Sequence, residues 1–293
     1  IDGATLSSGA GITIGNNIDL DSTNGGTLES TGGAQTYSGV ISGSGANLTK
    51  TGTGELTLSG GSAANTYNGD TNVDNGKLVL SRGAGAKAVS GVVNLNGGTL
   101  QLGADDQIAD TTQVNFDGGI FNTGGFSEGD ASNSGIDTLK LVSDSTIDFS
   151  GTADILRFKN DNGSTSGKIL TINNWDGDPV NGGGAAGLNR LLVEEDLTDS
   201  ANRKINLSDY NFDFDGFSVG AKVLNPSSGP YEIVPDVTTF IWNMDAGGDW
   251  SDDTKWQTIS PDFAGAVAIL DDVIGANRTI TLTGDRTIGK LTI

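Results

Sequence analysis

One short pattern returns at a near-fixed interval between Leu48 and Thr123, and it leaves this chain very few folds. Gly54-Glu55-Leu56-Thr57-Leu58 is echoed by Gly76-Lys77-Leu78-Val79-Leu80 and by Gly98-Thr99-Leu100-Gln101-Leu102, each 22 residues on. A fourth copy, Gly119-Ile120-Phe121-Asn122-Thr123, follows after 21 residues with its second apolar position lost. The last three copies each follow a strand-like residue and a tight turn: Val73-Asp74-Asn75, Leu95-Asn96-Gly97 and Phe116-Asp117-Gly118. Alternation is the period of a strand, and self-similarity every 20 to 30 residues or so indicates the coils of a β-solenoid. Each coil offers a row of inward aliphatics that only the next coil covers. Leu56, Leu78 and Leu100 are therefore expected one above another. The fold class is all-β, a parallel β-solenoid or β-helix, with right-handed crossover chirality as the default.

Composition agrees. Glycine is 46 of 293 residues, about double the usual share of roughly 7%. With only 5 prolines and with glycine at regular corners, the chain reads as many tight turns rather than disorder. A hydrophobic content of 35% suits thin coils in which alternate side chains face water.

The formal charge is −21. A single-sign acidic surface excludes nucleic acid, which requires a basic footprint, and it disfavours anionic membranes. No stretch approaches the roughly 20 apolar residues of a membrane helix, so no membrane insertion is expected. No charged and apolar leader opens the chain either, and any export signal is expected outside this stretch. The chain has no cysteine and no histidine, which removes thiol chemistry and Ser-His-Asp catalysis. Acidic pairs at Asp19/Asp21, Asp105/Asp106, Asp176/Asp178, Asp213/Asp215, Asp252/Asp253 and Asp271/Asp272 have the residue type for acid–base hydrolysis. Among 37 acidic residues, such pairs are what a solvated surface produces. The expectation is a non-enzyme.

Three regions follow along the chain. Residues 1–126 are solenoid repeats, opened by the alternating Ile12-Thr13-Ile14, Ile18-Asp19-Leu20 and Gly26-Thr27-Leu28. Residues 127–235 are a looser β-rich region. Phe126 to Gly135 and Asn173 to Gly187 are loop-like there, and Leu188 to Asp199 is open between a helix and a strand at Leu191-Leu192-Val193. Tyr210, Phe212, Phe214 and Phe217 are expected to cap a coil end, and Pro226, Pro230 and Pro235 mark Leu224 to Asp236 as a linker. Residues 236–293 form a Trp-rich segment followed by alternating strands.

Calcium is the cation to expect, since loops rich in Asp, Asn and Gly supply hard oxygen ligands. The candidates are Asp176 and Asp178 in one loop, and Asp249, Asp252 and Asp253 in another. EF-hand spacing is absent. Trp242, Trp250 and Trp256 suit either a buried junction or a platform for sugar faces, with packing the better-supported role.

From Leu48 through Gly60, with Asn65 to Val73 and Gly76 to Leu80, the sequence resembles the autotransporter-associated β-strand repeat. That resemblance implies a passenger-type β-helix exported to a bacterial surface or matrix, and it carries no catalytic residue and no cofactor. Trp242, Gly247 to Ser251, Lys255-Trp256 and the strand ending Leu291-Thr292-Ile293 resemble the Trp-rich segment that precedes such repeats in large exported proteins. Ser145 to Phe149, Leu156 to Phe158 and Leu170 to Trp175 resemble the region that closes them. Here the order is inverted, and joining residue 293 to residue 1 restores it. The expectation is a head-to-tail homopolymer in which residues 238–293 of one copy dock on residues 1–28 of the next. Trp242, Trp250, Trp256, Ile288, Leu291 and Ile293 then meet Ile12 and Ile14, because open strand edges are covered by donated strands. One long polypeptide repeating the unit satisfies the same pattern. A β-helical adhesin binding surface glycans is the reading from a different class.

Overall fold

The computed structural model describes residues 1–9, 11–83, 85–129, 135–164, 167–177, 188–194, 207–214, 217–224, 230–236, 239–242, 246–256, 260, 263–270, 278–283 and 288–292. The first coil is β1 (Thr5–Ser8), β2 (Thr13–Ile14) and β3 (Ile18–Asp19). The second is β4 (Gly26–Ser30), β5 (Gln35–Tyr37) and β6 (Ile41–Ser42). Each later coil is a pair of strands. The pairs are β7 (Leu48–Thr51) with β8 (Glu55–Leu58), β9 (Thr71–Val73) with β10 (Lys77–Leu80), and β11 (Val93–Leu95) with β12 (Thr99–Leu102). Next come β13 (Gln113–Asp117) with β14 (Ile120–Asn122), and β15 (Ile136–Ser143) with β16 (Ser145–Asp148). The series ends with β17 (Ile155–Ser164) and β18 (Leu170–Asn173), then β19 (Arg190–Val193) and β20 (Tyr210–Phe214).

Strands of the same face pair in parallel from coil to coil, so the chain is a parallel β-solenoid. Leu56, Leu78 and Leu100 stand in one register row, which continues through Phe121, Ile147, Ile172 and Phe212. The opposing row runs Leu6, Leu28, Lys50, Val73, Leu95, Phe116, Leu141. From Leu56 onward the first row is fully buried. Each such aliphatic contributes about 1.5–3 kcal/mol of transfer free energy, and stacking like on like keeps the register from slipping. The fourth repeat departs from the others because Thr123 takes the place of Leu102; it is buried and gives its hydroxyl to Asp154 Oδ2 at 2.5 Å.

The solenoid runs well past residue 126, through β20. Two further strands close it. β21 (Phe217–Leu224) pairs antiparallel with β20, and β22 (Tyr231–Pro235) pairs antiparallel with both β19 and β21. This hairpin covers the last edge of each face. The stretch expected as a linker therefore holds a cap strand: Ile233 and Val234 are fully buried, and Pro230 and Pro235 stand just before it and at its last position rather than in its middle. Leu191-Leu192-Val193 is a strand, not a helix; the rest of that stretch, 195–199, lies outside the described residues.

Beyond the cap a second β unit is built from β23 (Thr239–Ile241), β24 (Gly248–Asp249), β25 (Phe263–Ile269), β26 (Ile280–Thr281) and β27 (Ile288–Thr292). β23, β25 and β27 form one parallel sheet, and β24 and β26 another. It has its own core of Phe240, Trp242, Trp250, Trp256 and Ala268. Among the described residues no strand pairing joins it to the solenoid.

Candidate functional site

Of the carboxylates expected to hold calcium, Asp176, Asp249 and Asp252 accept hydrogen bonds from the protein. Asp249 Oδ1 accepts from Ser251 N at 2.9 Å and Ser251 Oγ at 2.6 Å, and both its oxygens lie within 2.9 Å of Thr283 Oγ1. Asp252 Oδ1 accepts from Thr254 N and Oγ1, and Asp253 begins a one-turn 3-10 helix. These are side-chain-to-backbone turns, which is ordinary Asx chemistry. Asp176 Oδ1 accepts from Asn189 N at 2.8 Å, and burial raises its pKa. Asp178 lies outside the described residues. No group of three carboxylates converges among the described residues.

The three tryptophans face one another. Trp256 packs edge-on against Trp242 at 5.2 Å and against Trp250 at 4.7 Å, and all three are buried. Their ring nitrogens donate inward, Trp256 Nε1 to Trp250 O and Trp242 Nε1 to Ala246 O. They build the core of the second unit. Ile288 lies in β27 and Ile293 is outside the described residues.

A second feature escapes periodicity altogether. Strand pairing on a third face is confined to β3 and β6 and two isolated bridges among the described residues. A spine of buried polar side chains runs along that corner. Asn65 accepts from Ile41 N and donates to Ala88 O, each at 2.9 Å. The Arg82 guanidinium reaches Gly39 O, Asn65 Oδ1 and Ala63 O, while its backbone N–H donates to Gln107 Oε1. Glu128 Oε2 accepts from Gln107 N and Ile108 N. Asp154 N donates to Asn189 Oδ1 at 2.9 Å. Each side chain satisfies backbone groups that a third sheet would otherwise pair. Glu128 keeps one atom apart from this pattern: its Oε1 has no partner among the described residues, and burial pushes its carboxyl up to about 8. Lys50 also enters the core, where its ammonium is held by the carbonyls of Thr51, Gly52 and Asn75. Burial lowers its pKa to about 8.

Among the described residues, large apolar side chains stay exposed in the first coil, at Ile120 on β14 and in the last strands. In the first coil Leu6 and Ile14 hold inward positions yet are half-exposed, and Ile12 is 41% exposed. One coil further in, Leu28 and Tyr37 are fully covered. At the other end Leu291 continues the inward row of Phe240 and Ala268, both fully buried, yet is itself 44% exposed. Leu282, next to β26, is 58% exposed. Among the described residues β1 pairs only with β4, β2 only with β5, β26 only with β24 and β27 only with β25. Of the expected contact residues, Ile12, Ile14 and Leu291 lie at these open faces.

Fold and ends together define a parallel β-solenoid capped by a hairpin and followed by a second unit of parallel strands. Residues 48–80 match the family described as the passenger-associated-transport-repeat. The repeat ties the chain to autotransporter passenger-type proteins. No curated protein and no solved structure matches the chain.

Proposed function

We propose that this chain is a structural, non-enzymatic subunit of an extracellular bacterial surface fibre, assembled head to tail by strand complementation. The observation that carries it is the presence of apolar, one-side-paired strands in both the first and the last coil. One exposes Leu6, Ile12 and Ile14 beside the free edges of β1 and β2; the other exposes Leu282 and Leu291 beside β26 and β27. Both are built from parallel strands, and a heterologous contact of this kind propagates into a filament. The hairpin β21–β22 leaves the solenoid's own far end no free edge for the same purpose. The acidic coat keeps neighbouring rods apart while leaving the axial joint apolar. A passenger-type repeat supports export to the cell surface or matrix.

Negative-stain imaging with light scattering of the 293-residue chain tests this reading. Uniform filaments are expected, and they are expected to disperse to monomers when residues 238–293 are deleted or when Leu282→Asp and Leu291→Asp are combined. Filaments of normal length in both variants overturn it. Dispersed rods that bind glycan favour an adhesin, although the tryptophan faces are already occupied by one another.

A further inference from the structure

The joint between copies has a definite register, an inference that rests on the head-to-tail reading. Stacked coils at the start of this solenoid keep threonine over threonine outside and aliphatic over aliphatic within. Thr5, Thr27 and Thr49 form one outward row, with Leu6 over Leu28 beside it. On the other face Thr13, Thr36 and Thr57 form the outward row, and Ile14, Tyr37 and Leu58 the inward one.

The open coil at the far end carries both signatures in the same order. Ile280-Thr281-Leu282 has the pattern of Ala4-Thr5-Leu6 and Gly26-Thr27-Leu28, and Leu291-Thr292-Ile293 has that of Ile12-Thr13-Ile14. The two threonines are 11 residues apart there, against 8 in the first coil and 9 in the second. Asp249 is the register partner of Thr281, which puts Leu282 at the position after Trp250 in the inward row. Charge follows suit. Arg278 lies four residues before Leu282 and Asp2 four before Leu6, both exposed and of opposite sign.

We propose that β26 of one chain pairs in parallel with β1 of a second copy, Thr281 against Thr5 and Leu282 against Leu6, while β27 lies against β2. Arg278 then stands at the register position of Asp2. The contact is the coil-on-coil interface the chain already repeats within itself, continued across two molecules. Its two uncovered leucines become core residues on joining.

The absence of native cysteine makes the test direct. Chains carrying Leu282→Cys alone and Leu6→Cys alone are mixed and oxidised. In-register neighbours on parallel strands lie about 4.8 Å apart, inside the Cα separation a disulfide needs. A covalent heterodimer is expected at about ten times the yield of a Leu291→Cys and Leu6→Cys mixture. Thr281→Cys with Thr5→Cys gives the outward version of the same joint and leaves the core untouched; it is expected to crosslink equally. Crosslinking of the Leu291 pair instead, or filaments with no crosslink in any pair, overturns this register and leaves head-to-tail assembly standing. No crosslink together with a strictly monomeric wild-type chain overturns both.

Discussion

Glu128 Oε2 accepts a hydrogen bond from Gln107 N at 2.9 Å, so a carboxylate from one coil ties down the backbone of the coil before it. The same oxygen holds Ile108 N at 3.1 Å, and the other oxygen has no partner among the described residues. Desolvation outweighs these bonds and the pull of Lys87, and the nearby Asp106 adds to the rise, so the group titrates near 8 in the fold. The sign follows from linkage. Between about 4.5, the ordinary glutamate value, and about 8 the folded chain holds a proton that the unfolded chain has released, so stability falls as pH rises through that window. Repulsion across the acidic surface slopes the same way. The Glu128→Gln variant is therefore expected to show a shallower fall in melting temperature from pH 4.5 to 8 than the wild type. Equal slopes in circular-dichroism melts would remove Glu128 from this role.

Lys50 stands in register between Leu28 and Val73, an ammonium in an aliphatic row. Its three donors meet three carbonyls, which lets the charge enter the core without an acidic partner in contact. Burial still lowers its pKa to about 8. Between about 8 and 10.5, the ordinary lysine value, the unfolded chain binds the proton and the folded chain does not. Stability therefore gains from this group as pH rises there. Lys50→Met is expected to abolish that gain while filling the same space. Lys50→Ala is expected to cost about 2–4 kcal/mol, because it leaves a cavity as well as unpaired carbonyls. Denaturant melts at pH 8 and pH 10 read both effects.

These two residues also mark where sequence legibility ends. Leu56, Leu78 and Leu100 recur at a fixed spacing because parallel in-register strands demand it, so the rows were readable. Lys50 sits at an inward parity in Leu48-Thr49-Lys50, a readable sign that its residue type obscured. The spine through Asn65, Gln107, Glu128 and Asn189 has no period, since corner loops differ in length from coil to coil. Its members bond to backbone, which leaves no partner pattern in the sequence. The strand Tyr231–Pro235 was hidden by the prolines at its two ends, and its pairing with both β19 and β21 is a tertiary fact. The tryptophan cluster was visible as a cluster; that its rings face one another was not.

Glycine at the corners sets how closely coils approach. A Cβ on Gly91 would overlap the carbonyl oxygen of Gly69 in the preceding coil, whereas one on Gly61 would meet nothing within 4 Å. Neither position has the positive φ that would strain a side chain by itself. Gly91→Ala is therefore expected to destabilise by about 2–4 kcal/mol through forced separation of two coils. Gly61→Ala is expected to be neutral or to stabilise by up to about 1 kcal/mol, by restricting the unfolded chain. Similar melting temperatures for the two variants would mean the corner relaxes freely.

Trp256 joins Trp242 and Trp250, and removing its ring deprives both of their edge contacts. Trp256→Ala is expected to cost the second unit about 3–5 kcal/mol. The solenoid core is a separate cluster closed by its own hairpin. The substitution is therefore expected to shift tryptophan emission to the red while leaving the main β-sheet melt unchanged. Assembly is expected to fail in the same variant, because the exposed row of Leu291 rests on Phe240 and Ala268 in the core that Trp256 completes. A variant that loses the emission signature of a packed cluster yet still forms filaments of full length would separate the two, and would place the joint elsewhere on the rod.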